Sequence, residues 1–315
     1  MNIIFMGTPD FAVPSLEILL NNDYHVSAVV TAPDKPRGRG QEVSFTPVKE
    51  FALKHSLPLL QPESLSNASF VSALAELHPD LFVVVAFRIL PPQVFSIPLK
   101  GAFNAHASLL PKYRGAAPIN WAIINGEKES GITTFFLQEK VDTGNIILQA
   151  RVAIPESMTS GDLHDILSGV GAEIVLQTVR LIELGKAIPR QQEDTLASAA
   201  PKIFKKDCRI RWNQPAESVH NFIRGLSPYP TAWTTHHGTI LKIFRSERSA
   251  FGTRDPGVRS QNAASGSVKI VDGKLCVGAK DEAIVILEIQ QEGKKRMSAG
   301  EFLRGYRLSD GDAFE

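Results

Sequence analysis

Three side chains, Asn104, His106 and Asp142, have the types and spacing to act together on an acyl group. Asn104 and His106 follow Gly101-Ala102-Phe103, a short apolar run that reads as a buried strand. Being two residues apart, they point to the same side if the strand continues through them. They would then sit at its carboxyl end, where open α/β sheets place their ligands. Asp142 comes 36 residues after His106 in Val141-Asp142-Thr143-Gly144, a turn between two apolar runs. An amide and a protonated imidazole can both donate hydrogen bonds to an oxygen that becomes negative in a tetrahedral intermediate. A carboxylate can orient the imidazole and help accept a proton. This set suits direct attack of an amine on an activated acyl carbon, with no Ser or Cys nucleophile. Residue types alone leave a second reading open, since Asn and His also tie down loops and Asp-Thr-Gly is ordinary turn chemistry.

Longer motifs surround the trio. They are Asn104-Ala105-His106, Ser108-Leu109-Leu110-Pro111, Tyr113-Arg114-Gly115-Ala116-Ala117-Pro118-Ile119 and Asp142-Thr143-Gly144. Together they resemble the signature of the 10-formyltetrahydrofolate-dependent formyltransferases, and the resemblance extends over essentially the whole chain. It implies that Asn104, His106 and Asp142 are catalytic and that Ser108, Leu109, Leu110 and Pro111 contact the folate. It also implies 10-formyltetrahydrofolate as formyl donor and no metal. One segment departs from the commonest family pattern. Phe87 and Arg88 stand where that pattern has Tyr and Gly, and the stretch before Ile89-Leu90-Pro91 is one residue shorter. The segment helps wall the folate pocket in the family, so altered access to the pocket is expected here.

The elements that must position these groups read as an α/β unit. Asn2 to Met6 is a strand, Gly7 to Asp10 a turn, and Ser15 to Leu20 a helix; Val26 to Val30 is a second strand. GxGxxG is absent, so there is no dinucleotide fingerprint. Leu81 to Ala86 is a continuous apolar run, as in a central parallel strand covered on both faces. Pro118 to Asn125 reads as a helix, and Ile132 to Leu137 and Ile146 to Ile154 as strands flanking the Asp142 turn. Leu163, Ile166, Leu167, Val170, Ile174, Leu181 and Ile182 make a helical stripe ending at Gly185. Residues 186–204 show no sustained period and read as a linker. Beyond them come a helix from Ala216 to Arg224, five short β-rich runs, a Gly- and Ser-rich loop over 250–265, and Ser298-Ala-Gly-Glu301, a capping box. The expected architecture is a Rossmann-like, mostly parallel sheet domain followed by a small OB-like β-barrel. The expected boundaries are 1–185 for the catalytic domain, 186–204 for the linker and 205–315 for the C-terminal domain.

Basic residues bear on the acceptor. Residues 32–46 form a Pro- and Gly-punctuated stretch, read as an irregular loop, with Lys35, Arg37 and Arg39 clustered in it. By itself this is a solvated loop. Family members that formylate initiator methionyl-tRNA carry a matching basic insertion that enters the tRNA acceptor arm, and the resemblance places these three cations on it. Lys202, Lys205, Lys206, Arg209 and Arg211 follow the linker, and either a solvated face or the border of a nucleic-acid channel fits them. Residues 201–315 hold 19 Lys and Arg against 13 Asp and Glu, whereas residues 1–200 hold 15 against 20. Two readings fit this asymmetry: ordinary variation in surface charge, or a C-terminal module that meets a polyanion. Lys205, Lys206 and Arg209 are expected tRNA contacts alongside Lys35, Arg37 and Arg39.

Composition excludes other classes. A chain of 315 residues, 43% hydrophobic and 21% charged, is ordinary for a globular protein of two domains. No run approaches a membrane span, and Met1-Asn2-Ile3-Ile4-Phe5 has no basic region of a signal peptide. The two cysteines, Cys208 and Cys276, indicate neither a zinc site nor a disulfide framework. A cytoplasmic monomer without a membrane partner is the default expectation. Two other readings are a formyltransferase acting on a small amine, such as glycinamide ribonucleotide or an amino sugar, and a non-catalytic tRNA-binding protein. The first lacks this pairing of basic insertion and basic barrel; the second leaves the Asn104, His106 and Asp142 set without a purpose.

Overall fold

The computed structural model describes residues 1–37, 42–248, 264–309 and 311–315. The chain divides into two compact units. The first comprises Met1–Pro118, Ser130–Val152 and His164–Ala200; the second comprises Ile119–Glu129, Ala153–Leu163 and Pro201–Glu315.

The first unit is built on a seven-stranded sheet. Its strands are β1 (Asn2–Gly7), β2 (His25–Val30), β5 (Leu59–Leu60), β6 (Leu81–Val85), β7 (Ala102–His106), β9 (Glu129–Phe136) and β10 (Ile146–Ala153). Their order is β10-β9-β7-β6-β1-β2-β5. Pairs from β5 through β7 are parallel, and β9 joins β7 antiparallel. The continuous apolar runs are explained by burial on both faces: Ile3, Ile4, Phe5, Met6, Leu81, Phe82 and Val83 are all fully buried. Ile4, Met6, Phe82 and Val84 pack with Phe70 and Leu74 on one side. Those two residues belong to α3 (Ala68–Glu76), which follows α1 (Val13–Asn21) and α2 (Pro47–Lys54). Thr46 caps α2 by accepting from the Lys49 N–H. A four-residue helix, α4 (Pro92–Phe95), follows β6. The long α6 (Ser160–Glu183) buries Leu163, Leu167, Ile174, Val175, Val179 and Ile182, while Ile166, expected in its buried stripe, is exposed.

Two expectations for this unit need correction. Part of the stretch read as an irregular loop forms a hairpin, β3 (Lys35–Arg37) paired antiparallel with β4 (Glu42–Ser44). Its base is held by an ion pair of Lys49 with Asp34, whose carboxylate also accepts from Gln61. The residues read as a linker are docked as far as Ala200. Arg190 exchanges two backbone hydrogen bonds with Ile146, and β11 (Ala199–Ala200) pairs parallel with β8 (Arg114–Gly115). Isolated bridges and two-residue pairings have no hydrophobic period, so pattern reading passes over them.

The second unit holds α5 (Pro118–Ile124), α7 (Ala216–Gly225), α8 (Ala299–Gly305) and a six-stranded antiparallel sheet. The strands are β12 (Ala232–His236), β13 (Thr239–Arg248), β14 (Val268–Val271), β15 (Lys274–Gly278), β16 (Ala283–Gln291) and β17 (Met297–Ser298). Their path is β12-β13-β16-β15-β14, with β17 on β16. The named strands thus leave an open path where a barrel was expected. Residues 312–315 bond to both outer strands: Glu315 exchanges two hydrogen bonds with Thr235, Val268 N–H donates to Asp312 O, and Phe314 N–H donates to Gly266 O. Gly266 has φ +84 and a Cβ there would lie 2.3 Å from Phe314 O, so only glycine allows this approach. Trp212, Ile223, Leu241, Ile243, Leu275, Ile286 and Phe302 fill the core. The Ser298–Glu301 capping box opens α8 as expected. The Gly- and Ser-rich loop expected over 250–265 lies almost wholly outside the described residues. No helix among them is long and apolar enough to cross a membrane.

Candidate active site

Asn104 and His106 lie on β7, whose pairing reaches His106 opposite Thr133 of β9, so both side chains share one face at the strand's carboxyl end. The strand order reverses between β1 and β6, the neighbour of β7, and such switch points open a crevice at the carboxyl ends. His106 is buried, and its Nε2 lies 2.8 Å from the Tyr113 carbonyl oxygen. A carbonyl only accepts, so Nε2 carries a proton and Nδ1 is the nitrogen left for chemistry. Nδ1 lies 3.8 Å from Asp142 Oδ2. That oxygen also accepts from the Gly115 N–H at 2.9 Å. Among the described residues, the Asn104 carboxamide makes no hydrogen bond, which leaves its NH2 free to donate to a bound molecule.

Both partners of His106 stand in the left-handed region, Tyr113 at φ 62 and Asp142 at φ 54. A non-glycine residue there costs of the order of 1 kcal/mol or more, and surrounding bonds must hold it. Gly144 allows the Asp142 turn to sit on the end of β9, because a Cβ there would fall 1.6 Å from Phe136 O. Gly115, at φ +126, would place a Cβ 2.6 Å from Ala200 O, so glycine is required where β8 meets β11.

The turn is also held by a residue that sequence reading missed. Gln192 is buried, and its Nε2 donates to Asp142 O at 2.9 Å and Gly144 O at 2.8 Å. Its Oε1 accepts from Arg114 Nε and Nη2, and Arg114 Nη2 reaches Asp194 Oδ1 at 2.7 Å. The Arg114 hydrogen bond is the main reason the Asp194 carboxyl titrates below the usual range. Gln192 lies in the unpatterned stretch 186–204, and only the fold reveals its partners.

Ser108 to Pro111 follow His106 directly. Ser108 and Leu110 are buried, and the Ser108 hydroxyl donates to Lys112 O at 2.6 Å. Thr133 Oγ1 donates to Ser108 O and accepts from Leu110 N–H, while Gln149 Nε2 donates to Leu110 O. These bonds hold the segment's shape. Arg88 is turned onto the Glu63 and Pro62 carbonyl oxygens at 3.0 and 2.8 Å, and burial lowers its pKa. Ala86, two residues before it, has φ 47.

The expected tRNA contacts are distributed over both units. Lys35 and Arg37 fall on β3, and Arg39 lies outside the described residues. Lys205, Lys206 and Arg209 are exposed in and just after the 3-10 turn Lys205–Cys208, as are Lys202 and Arg211. The Arg209 guanidinium lies over the Trp233 ring, 5.8 Å from its centroid.

This chain belongs to the formyl transferase family: the N-terminal "Formyl transferase" model matches residues 1–179, and the "Formyl transferase, C-terminal domain" model matches residues 202–307. Among its relatives, it is 48% identical to the methionyl-tRNA formyltransferase of Bacteroides thetaiotaomicron, covering 99% of this chain and 97% of that protein. It is 50% identical to the methionyl-tRNA formyltransferase of Chlorobium limicola, covering 98% of each. Among solved structures, a sugar 3N-formyl transferase, WlaRD, crystallised with dTDP and 5-N-formyl-THF, superposes with a TM-score of 0.67 at 22% identity, covering 94% of this chain and 99% of that one. HypX from Aquifex aeolicus in complex with tetrahydrofolic acid superposes with a TM-score of 0.64 at 18% identity, covering 99% of this chain and 50% of that one. These two structures share the fold.

Proposed function

We propose that this chain transfers the formyl group of 10-formyltetrahydrofolate to the amino group of initiator methionyl-tRNA. The observation that carries this reading is near-full-length identity of 48–50% to methionyl-tRNA formyltransferases, on a chain where His106 Nδ1 lies 3.8 Å from Asp142 and Asn104 shares the His106 face of β7. The methionyl amine attacks the formyl carbon, a C–N bond forms, and the carbonyl oxygen becomes an oxyanion. Asn104 Nδ2 and a protonated His106 Nδ1 donate to that oxygen. Asp142 stands beside the imidazolium and takes the proton the amine gives up, directly or through a water. The bond from the formyl carbon to folate N10 then breaks, N10 gains a proton, and tetrahydrofolate leaves.

The folate lies against Leu109, Leu110 and Pro111, where apolar area supplies binding. Ser108, with its hydroxyl turned inward, shapes that wall. The 205–315 region and the 35–39 segment hold the tRNA, through Lys205, Lys206 and Arg209 in one and Lys35, Arg37 and Arg39 in the other. The reaction runs in the cytoplasm on a monomer without a metal in the catalytic step. The test is formyl transfer from 10-formyltetrahydrofolate to charged initiator tRNA, with a small amine in parallel. Transfer to the amine alone would overturn the acceptor, and transfer to neither would overturn the reading.

A further inference from the structure

Away from the formyl-transfer residues, the second unit gathers one other set of chemically capable groups. Among the described residues, His236, His237 and Asp312 are the one group of three metal-binding side chains whose ligand atoms lie within 4.8 Å of one another. His236 ends β12 and is 2% exposed. Its Nδ1 lies 2.9 Å from the Tyr306 hydroxyl. Its Nε2 is buried and makes no hydrogen bond, although it points towards Asp312 Oδ2 at 3.4 Å. A carboxylate oxygen cannot donate, so the Nε2 that faces it either carries a proton or shares a cation with it.

The separation itself is informative. Two ligand atoms, each about 2.0–2.1 Å from a tetrahedral ion, lie about 3.3–3.4 Å apart. The turn between β12 and β13 brings in the third group. His237 at φ 46 and Gly238 at φ 75 fold its ring back to 4.2 Å from that of His236, between centroids. Tyr306 completes the pattern, because a metal-bound imidazole places its other N–H on an oxygen partner that fixes the ring.

We propose that His236 Nε2, His237 and Asp312 Oδ2 form a site for a divalent transition-metal ion of the zinc type, with a fourth position open to water. Imidazole and carboxylate ligands suit such an ion, and the site needs no cysteine. Asp312 belongs to the 312–315 segment that bonds to β12 and β14, so the ion would pin that segment to the β12–β13 turn. The role is structural and independent of the formyl-transfer residues.

The experiment uses the full chain, without an affinity tag and stripped with a chelator, titrated with zinc chloride and followed by calorimetry and thermal unfolding. One saturable zinc per chain and a raised Tm are expected, with ligand-field bands in the visible when cobalt(II) replaces zinc. His237→Ala removes an exposed ligand without opening the core, so it tests the site without risking the fold. It should weaken zinc binding by at least about tenfold, and Tyr306→Phe by about tenfold or more, since the oxygen that holds a ligand imidazole's other nitrogen is worth that much. Formyl transfer should be unchanged in His237→Ala. Two outcomes would overturn the site and leave His236–Asp312 as an ion pair only: no saturable binding at submillimolar zinc, or equal binding in wild type and His237→Ala.

Discussion

The side-chain amide of Gln192 donates to the main-chain oxygen of Asp142 at 2.9 Å, from a position 50 residues further along the chain. The same NH2 serves Gly144, and the amide oxygen is held by Arg114. Asp142 thus owes its left-handed backbone to bonds from two sides, Gln192 on its carbonyl and Gly115 on its carboxylate. Replacing Gln192 with Met keeps the volume and removes both donors. Turnover should fall on the order of tenfold to a hundredfold, because a small misplacement of a reacting group is costly. KM for the folate should move far less. Single-turnover rates at subsaturating and saturating folate check this: an equal loss in both is expected, and a loss confined to subsaturating folate would place the effect on folate binding instead.

Asn104 and His106 should behave as oxyanion donors. His106→Ala and Asn104→Ala should each cost about 10²–10³ in kcat, as other donors of this kind do. Asp142→Asn keeps the size and removes the charge beside the imidazole, and a severe loss is expected there too. Steady-state kinetics on folded variants decides this, and near-native turnover in His106→Ala would sink the assignment.

The basic residues should divide by function. Lys205, Lys206 and Arg209 are exposed, and changing any of them to Ala should weaken all tRNAs about equally, since phosphate contacts carry no sequence information. Each loss should also flatten the salt dependence of binding by about one in log–log slope. Arg37→Ala and Arg39→Ala should lower the single-turnover rate more than the affinity. An unchanged rate in Arg39→Ala would make that segment a passive surface.

Acid should loosen the second unit through His220. Burial is the main cause that lowers its pKa; the hydrogen bond to the Glu156 carbonyl opposes this, and the Arg224 and Arg248 charges add to it. The unfolded chain takes up its proton near the ordinary value of about 6.5, before the folded chain does. The stability this group contributes is therefore full above about 6.5 and lost as pH falls through the lower folded value. Thermal unfolding across that range should show it, and His220→Gln should flatten the profile.

Much of this was legible in the sequence because it is local. Apolar runs marked β1, β6 and β7, the Ser298 capping box marked a helix start, and a spacing of two put Asn104 and His106 on one face of β7. What was not legible depends on partners far along the chain. The β3 and β4 strands are too short to show a hydrophobic period, the 186–200 stretch docks by isolated backbone bonds, and Gln192 looks like any surface Gln until the fold brings it to Asp142. The 312–315 segment is as opaque, since its pairing depends on Gly266 and Thr235 rather than on a pattern of its own.

Gln192 also bears on where this chain can be cut. The N-terminal family match stops at residue 179 and α6 at Glu183, which invites a minimal catalytic fragment ending there. Such a fragment would keep Asn104, His106 and Asp142 and would look complete by residue inventory. It would lack the Gln192 amide and the β11 strand, leaving two carbonyl oxygens of the Asp142 turn bare and Gly115 without its neighbour. A boundary drawn beyond Ala200 is the shortest at which Asn104, His106 and Asp142 keep these supports.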